Sequence, residues 1–371
     1  MMPQILAVRS ALPGNRSGQA ELTRAFADRG NLSPADRELL GRLHAAAAVD
    51  TRHTALPVAE CAALDGAEAV NDRYITEATA LGERALRGAL AAAGLSAADL
   101  DLLVVTSVTG VAVPSLDARL IPRLGLRPDI RRLPIFGLGC VAGAAALGRL
   151  HDYLLGWPGH TAALLAVELC SLNWPTIEIT PADMVAAGLF GDGAVALIAR
   201  GGQAVPAGDA AAGNRAAANG AAGVTAPGPR VIASRSAVYP DSTDALGWRL
   251  AAGGFRIVLT TELPAVVEHA LADSVSGFLA EHDLTTDDIA SWICHPGGPK
   301  VIDAVQRALK LPDRAVAASR RSLAEVGNMS SASVLHILEM ISDTERPRPG
   351  SPGLMIGLGP GVSAELVLLR W

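Results

Sequence analysis

Hydrophobic positions recur at helical spacing in two stretches of the chain, at about 76–93 and about 264–281. Each stretch leads into a polar segment of the kind that ends a helix, and then into an apolar run with the length of a buried strand. These segments read GLSAADLDLLVVTSVTG in the first half of the chain and HDLTTDDIASWICHPGG in the second. The pattern predicts the same helix–turn–strand unit in both halves.

Two further segments repeat in the same order. The stretch 139–150, GCVAGAAALGRL, matches 327–338, GNMSSASVLHIL, since each begins with glycine and continues as small residues that can pack a helix tightly. Glycine turns lead into an apolar strand at 189–201 and again at the C-terminal end. Three ordered matches predict an α/β protein made by duplication. The residues paired in this way are Ser96 with Thr285, Asp99 with Asp288, Thr106 with His295, and Cys140 with Asn328.

One segment departs from globular composition. Residues 201–229 are rich in Gly, Ala and Pro and have no hydrophobic periodicity, which is typical of a flexible linker or surface loop. We therefore divide the chain into an N-terminal half at 1–200, this linker, and a C-terminal half at 230–371.

Composition narrows the class of protein. Half of the 371 residues are hydrophobic but only 4% are aromatic, so the core must consist mainly of Ala, Val and Leu. The net charge of −6 comes without a basic block, which argues against nucleic acid or an anionic membrane as a partner. We see no signal peptide and no apolar run of about 18 residues, the usual minimum for a membrane span. A soluble cytoplasmic enzyme is expected.

The four cysteines suggest neither a metal site nor a disulfide framework, since no two of them form a CxxC pair. Cys140 differs from the others in its setting, because it follows an apolar strand and a glycine turn and precedes a helix of small residues. A thiol at such an elbow lies near the free N–H groups and the positive end of the helix dipole. Such settings lower a thiol pKa from about 8.5 to about 3.5–7.5. We therefore take Cys140 as the candidate nucleophile, although a buried structural cysteine has the same pattern.

His295 and Asn328 are the candidate partners of this thiol. His295 ends the strand SWIC ahead of Pro-Gly-Gly, at the edge of a sheet where α/β sites form. Asn328 lies in GNMSSAS at the head of the second small-residue helix. Taken alone, the histidine could be a core residue and the asparagine a helix N-cap. Together, Cys140, His295 and Asn328 supply a thiolate for acyl transfer and two N–H donors for an enolate or oxyanion.

These motifs resemble the type III polyketide synthases, the chalcone synthase superfamily, over nearly the whole chain. FGLGC, HPGGP and GNMSSA match the family's nucleophile, histidine and asparagine motifs in order. The resemblance implies a thiolase-like fold of five layers, αβαβα. It also implies a homodimer that uses an acyl-CoA starter and malonyl-CoA and needs no metal or other cofactor.

The resemblance also assigns roles to residues outside these three motifs. LFGDGA and GGFRIVL match the segments of two gatekeeper phenylalanines that wall the substrate cavity, and GLGPG matches a cavity-scaffolding loop. That loop is not G-x-G-x-x-G and leads to a strand, so we exclude dinucleotide binding. The implied substrate-binding residues are Phe190, Phe255, Cys170, Asn173, Val113, Gly357, Gly359, Pro360 and Gly361, with Arg52 and Lys300 as candidates for CoA.

RHTALP, VELCSLNWP and LGWRLAAGGFRIVL look more like bacterial alkylpyrone and alkylresorcinol synthases than plant chalcone synthases. A fatty or other acyl-CoA starter with a few malonyl extensions is therefore the expected substrate set. The nearest rival is a ketoacyl synthase III of fatty acid synthesis, whose histidine motif normally reads HQAN rather than HPGGP. A non-catalytic partner subunit of the same fold and a cysteine hydrolase are two more distant rivals.

Overall fold

The structure, a computed structural model, describes residues 2–64, 66–175, 178–202, 227–251, 254–260 and 262–371. Most of the predicted linker at 201–229 lies outside the described residues. In the N-terminal half the strands and helices are β1 Gln4–Ala11, β2 Asn15–Gly18, α1 Gln19–Arg29, α2 Pro34–Ala45, β3 Thr51–Thr54, α3 Val58–Ala63, α4 Gly66–Ala93, β4 Leu102–Thr106, α5 Leu116–Leu124, β5 Arg131–Ile135, α6 Ala142–Gly156, β6 Thr161–Leu169, α7 Pro181–Leu189 and β7 Asp192–Arg200.

The C-terminal half contains fewer elements. They are β8 Arg230–Val238, β9 Leu246–Ala251, β10 Gly254–Leu259, α8 Leu263–Ala280, β11 Ser291–Cys294, α9 Pro299–Ala308, α10 Asp313–Val326, α11 Ser333–Thr344, β12 Pro352–Gly359 and β13 Ser363–Arg370.

Strand order confirms the duplication. Across the described residues, the large sheet runs β11-β12-β13-β8-β1-β7-β6-β4-β5. Starting from β1 and moving outward, the pairings are antiparallel, antiparallel, parallel and parallel. Starting from β8, they are antiparallel, antiparallel and parallel. The two halves therefore share one topology, and they join where β1 meets β8 at the pair Gln4–Arg230.

Two helices lie buried between the halves of the sheet. Apolar residues of α6 and α11 pack against strands of both halves in one core cluster. The outer face of the N-terminal half is covered mainly by α4 and that of the C-terminal half mainly by α8 and α9. The first turns of both helices, Ala142–Gly148 and Ser333–Leu335, are buried on every side, since their residues are small or apolar. The predicted five-layer αβαβα fold is confirmed.

The repeated cap-and-turn segments are also confirmed. Ser96 with Asp99, and Thr285 with Asp288, each form a reciprocal capping box on a short turn that leads into a strand. The register at the central helices differs from the prediction. Counting back two residues from the first residue of α6 and of α11 makes Ser331, and not Asn328, the counterpart of Cys140. The runs of small residues permit several registers, so the sequence pattern alone could not choose this one.

Gly143 on α6 lies directly against the turn that precedes α11. A Cβ built on this glycine would lie 2.1 Å from the carbonyl oxygen of Ser331, which is far inside contact distance. Any side chain at position 143 would therefore push the turn ahead of α11 away from α6. Within the described ranges, every helix is too short or too polar to cross a membrane.

We predict that Gly143→Ala lowers the free energy of unfolding by about 1–3 kcal/mol, because the added methyl group overpacks a rigid backbone contact. Gly156→Ala is the matched control, since it lies in the same helix and its Cβ would meet nothing within 4 Å. Urea denaturation followed by circular dichroism compares the two variants. Equal unfolding midpoints for both would contradict the proposed contact.

Candidate active site

Three polar side chains from the two halves meet at one small cavity. The cavity has a volume of about 40 Å³, and Cys140, His295 and Asn328 line it together with apolar side chains. All three are buried. Since a single water needs about 10–15 Å³, there is room for only a few small groups. Among the lining residues, these three alone bring polar side chains, so they define the chemistry of the cavity.

Cys140 lies in a short 3-10 turn, Gly139–Val141, that leads directly into α6. Its Sγ accepts a hydrogen bond from the hydroxyl of Ser330 at 3.4 Å. The hydroxyl comes from the turn ahead of α11 and therefore from the opposite half of the molecule. The predicted position of this thiol at a helix head is present in the structure.

The pKa of this thiol differs from the sequence-based expectation. Burial raises the pKa of Cys140 to about 12, and the nearby Glu168 carboxylate adds to that effect, while the Ser330 hydroxyl opposes it. Burial also lowers the pKa of His295 to about 3. Desolvation outweighs the helix dipole here, because both groups are buried among mostly apolar side chains. Burial therefore favours the neutral thiol and the neutral imidazole.

His295 follows β11 directly, at the carboxyl end of the strand. Its Nδ1 is buried and has no hydrogen-bond partner among the described residues. A charged imidazolium needs acceptors for both ring N–H groups, so this sealed nitrogen explains in part why the neutral form is preferred. Nε2 is therefore the ring nitrogen available to a group in the cavity. It can accept the thiol proton or donate an N–H.

Asn328 is held through its backbone and through one end of its carboxamide. Its Oδ1 accepts hydrogen bonds from the backbone N–H of Ser330 at 2.8 Å and from the hydroxyl of Ser333 at 3.4 Å. With the oxygen engaged in this way, the Nδ2 amino group is the end of the side chain that remains for the cavity. The backbone of Asn328 forms a bridge with Phe190. Met329 holds the N-cap position of the turn Ser330–Ala332, but the Asn328 carboxamide accepts the first N–H of that turn, so the capping interaction and a role in the cavity coexist.

Glu168 is a site residue that no sequence motif indicated. This fully buried carboxylate accepts hydrogen bonds from Val108 N at 3.1 Å, from Thr109 Oγ1 at 3.0 Å, and from the Ser331 hydroxyl. Burial raises its pKa to about 7, and the hydrogen bonds oppose that effect. The signal in the sequence was a lone acidic residue within the apolar strand TAALLAVEL. Glu168 links β6 to the turn that also contacts Cys140.

A second cavity of about 20 Å³ adjoins the first. Cys170, Asn173 and Trp248 line it, and Phe190 lines both cavities. The aromatic neighbour of Phe190 is Trp248, with ring centroids 6.0 Å apart. Phe255 lies elsewhere on β10, with its ring 6.3 Å from that of Phe136, and it lines neither of the two cavities. The wall opposite Phe190 is therefore Trp248, a residue of the motif LGWRLAAGGFRIVL to which the sequence analysis assigned no role.

The carboxamide of Asn173 is already engaged within the protein. Its Nδ2 donates to the backbone oxygen of Thr109 at 2.8 Å, and its Oδ1 accepts from the backbone N–H of Phe255 at 3.3 Å. Asn173 thus connects the N-terminal half to β10, in addition to lining the second cavity.

The glycine loop supports the nucleophile more than it lines the cavity. A Cβ on Gly359 would lie 2.1 Å from Val141, and one on Gly357 would lie 2.9 Å from Ala144. Within the loop it is Leu358 that lines the cavity. Pro360 contacts Gly139. The backbone N–H of Gly361 donates a hydrogen bond to the backbone oxygen of Leu246.

The prediction that Arg52 binds a CoA phosphate is contradicted by its burial. Only 1% of this residue is exposed, and its guanidinium donates to the backbone oxygen of Phe190 and to Oε1 of Gln19. Lys300 is exposed near the start of α9, so its role with CoA stays a prediction. Val113 is 89% exposed, in the loop between β4 and α5.

Two family models match the two halves of the chain. "Chalcone and stilbene synthases, N-terminal domain" matches residues 2–203, and "Chalcone and stilbene synthases, C-terminal domain" matches residues 230–371. The chain belongs to the chalcone and stilbene synthase family. It is a type III polyketide synthase, an acyltransferase that forms carbon–carbon bonds by decarboxylative condensation.

Bacterial relatives of this polyketide synthase match over nearly its whole length. A 1,3,6,8-tetrahydroxynaphthalene synthase from Streptomyces peucetius subsp. caesius is 53% identical over 367 residues, 99% of this chain and 93% of the relative. The alpha-pyrone synthesis polyketide synthase-like Pks18 of Mycobacterium tuberculosis is 30% identical over 91% of this chain and 83% of the relative. The crystal structure of tetrahydroxynaphthalene synthase from Streptomyces coelicolor A3(2) superposes with a TM-score of 0.88, at 31% identity and 99% coverage of each chain.

Proposed function

We propose that Cys140 carries the acyl chain and that His295 and Asn328 drive its extension by malonyl-CoA. The observation that supports this proposal is the presence of all three side chains at one buried, mostly apolar cavity in a member of this family. A thiol, an imidazole and a carboxamide N–H are the groups that acyl transfer and enolate stabilisation require.

In the loading step, the Cys140 sulfur gives its proton to His295 and attacks the carbonyl carbon of the starter thioester. The carbon–sulfur bond to CoA breaks, and CoA leaves as a thiol with the proton returned by His295. Because neither Cys140 nor His295 ionises readily alone, the transient ion pair forms only while a substrate carbonyl is present to consume the thiolate.

In the extension step, malonyl-CoA loses carbon dioxide, and the electrons of the broken carbon–carbon bond form the enolate of acetyl-CoA. Nδ2 of Asn328 and Nε2–H of His295 donate hydrogen bonds to the enolate oxygen. The enolate carbon attacks the thioester on Cys140, which leaves as the thiolate, and the lengthened chain remains on CoA. The apolar walls contributed by Phe190, Ile257 and Leu358 favour loss of a carboxylate as neutral carbon dioxide.

We propose malonyl-CoA as both starter and extender, with a tetrahydroxynaphthalene as the product. The 53% identity to a 1,3,6,8-tetrahydroxynaphthalene synthase supports this choice over the alkylpyrone or alkylresorcinol product expected from the sequence motifs. The similarity to Pks18 keeps the alkylpyrone product as the second candidate.

Lys300 is the proposed contact for a CoA phosphate. It is exposed near the start of α9, in the same half as His295 and next to the cavity residue Val301. A lysine near a helix N-terminus adds its charge to that of the helix dipole, and both favour an anion.

We predict that malonyl-CoA alone yields the naphthalene product, carbon dioxide and free CoA. The purified enzyme is incubated with malonyl-CoA, with and without medium- and long-chain acyl-CoA starters, and the products are identified by mass spectrometry. Cys140→Ala abolishes product formation, whereas Cys61→Ala, a buried thiol away from both cavities, leaves it in place. Pyrones formed only with long acyl-CoA starters would favour the second candidate. Thioester hydrolysis without any chain extension would contradict the proposed function.

We also propose that two copies of this chain form a homodimer through the outer edge of β5. This strand ends the sheet, and most of its side chains are exposed. Exposed apolar residues lie beside it or in the neighbouring loop, including Phe136 at 58% exposure and Val113 at 89%. An open strand edge next to exposed apolar side chains is normally covered by a partner. In such a dimer, Val113 would reach toward the cavity of the partner subunit.

We predict that Phe136→Glu shifts the protein from dimer to monomer, because a buried, unpaired carboxylate destabilises an apolar interface. Val238→Glu is the control, since Val238 is 73% exposed on β8 of the other half. Sedimentation velocity measures the mass of both variants and of the wild type. A wild-type monomer, or a Phe136→Glu protein that stays dimeric, would contradict this interface.

A further inference from the structure

Arg52 is a buried cation behind the active site. It lies on β3, and it is the largest side chain among those that are fully buried in the described part of the chain. Burial lowers its pKa to about 10, so the guanidinium keeps its charge at neutral pH, and the Asp192 carboxylate supports that charge. The guanidinium carbon lies 6.0 Å from the ring of Trp174. Burial of an arginine is unfavourable because the charge loses its hydration, so a specific role is expected for Arg52.

The guanidinium of Arg52 is directed at one peptide group. Its Nη1 donates to the carbonyl oxygen of Phe190 at 2.7 Å, and its Nη2 donates to Oε1 of Gln19 at 2.9 Å. The carbonyl of Phe190 and the N–H of Gly191 belong to the same peptide unit. That N–H donates to the backbone oxygen of Asn328 at 3.0 Å. The cation therefore polarises and holds the peptide that in turn holds Asn328.

A second hydrogen bond completes the connection, from the N–H of Asn328 to the backbone oxygen of Leu189 at 2.8 Å. The backbone segments around Phe190 and Asn328 are packed so closely that glycine is required at two positions. A Cβ on Gly191 would lie 2.3 Å from the backbone oxygen of Val326, and a Cβ on Gly327 would lie 2.9 Å from Cγ and Cδ of Arg52. Gly327 also has φ +73°, a conformation that favours glycine. The side chain of Arg52 is thus part of the surface against which Asn328 is positioned.

We propose that Arg52 is a positioning residue for malonyl-CoA decarboxylation, because it fixes the backbone bridge that joins Phe190 to Asn328. The inference rests on the proposed function, in which Asn328 donates its N–H to the enolate oxygen. It assigns Arg52 a role in the chemistry in place of the CoA contact suggested by the sequence motif.

Two rates distinguish this role from general stabilisation of the fold. They are the rate of Cys140 alkylation and the rate of malonyl-CoA decarboxylation. Cys140 lies on the turn ahead of α6 and depends on Ser330 and the glycine loop, none of which contacts Arg52. Alkylation of Cys140 by iodoacetamide therefore reports an intact nucleophile turn. Release of carbon dioxide from malonyl-CoA, measured with Cys140→Ala added so that no chain can be loaded, reports the position of Asn328. Loss of Arg52 should impair the second reaction much more than the first.

The test measures both rates in Arg52→Lys and Arg52→Ala. A displacement of about 1 Å can cost about 100-fold in rate, so we expect decarboxylation to fall by about 100-fold in Arg52→Ala, with alkylation changed by less than about threefold. Arg52→Lys keeps the charge but loses the forked geometry, and we expect an intermediate loss. Millimolar guanidinium, which fits the space left in Arg52→Ala, should restore part of the decarboxylation rate.

Arg42→Ala is the matched control, since Arg42 is exposed on α2 and pairs only with Glu38 in the described structure. It should leave both rates unchanged. If Arg52→Ala does not fold, Arg52→Lys decides the test through the same ratio of rates. Equal losses of both reactions, or an unchanged decarboxylation rate, would overturn the inference. A wild-type enzyme that does not decarboxylate malonyl-CoA would instead overturn the proposed function.

Discussion

The contact between the two central helices determines the geometry of the active site. Gly143 on α6 lies against the carbonyl oxygen of Ser331, with no space for a side chain. This contact places the turn Ser330–Ala332 directly beside the nucleophile turn. From that position, the hydroxyl of Ser330 reaches the sulfur of Cys140, and the hydroxyl of Ser331 reaches the carboxylate of Glu168. The backbone N–H of Ser330 also fixes the carboxamide of Asn328. One turn of the C-terminal half therefore contacts Cys140, Glu168 and Asn328.

Burial of the thiol and the imidazole determines the chemistry that this site favours. Burial raises the pKa of the Cys140 thiol and lowers that of the His295 imidazole, and so favours the neutral form of each. The charged groups lie one layer behind the cavity, where Arg52, Asp192 and Glu168 are each tied by hydrogen bonds to backbone or side chains. Charge that develops on a substrate therefore meets fixed N–H donors in place of water, which is the condition for strong electrostatic stabilisation. The apolar side chains around the site likewise favour neutral carbon dioxide over the malonyl carboxylate.

Much of the fold could be predicted from the sequence because its local signals agree with one another. The paired hydroxyl and acidic residues, Ser96 with Asp99 and Thr285 with Asp288, mark equivalent turns, and both form the capping boxes that such spacing favours. The position of His295 followed from a short apolar strand and a Pro-Gly-Gly turn, which are also local features. The register of Asn328 was wrong for a physical reason: a run of small residues carries no side chain large enough to select one packing arrangement over its neighbours.

Features that depend on distant backbone could not be predicted in this way. Arg52 looks like a surface arginine in sequence, and its burial depends on a carbonyl group of Phe190 far along the chain. Trp248 faces Phe190 only because β9 and β10 fold over α7. Glu168 did leave a trace, a single acid in an apolar strand, and a buried charge of that kind is a reason to search for a polar network.

The most direct test of this mechanism is to locate the acyl group on the enzyme. The wild-type protein is mixed with malonyl-CoA, quenched within one turnover, digested and mapped by mass spectrometry. We predict a thioester adduct on the peptide that contains Cys140, and none on the peptides that contain Cys61, Cys170 or Cys294. An adduct on Cys170, which lines the neighbouring cavity, or product formation without any adduct on Cys140, would contradict the central claim.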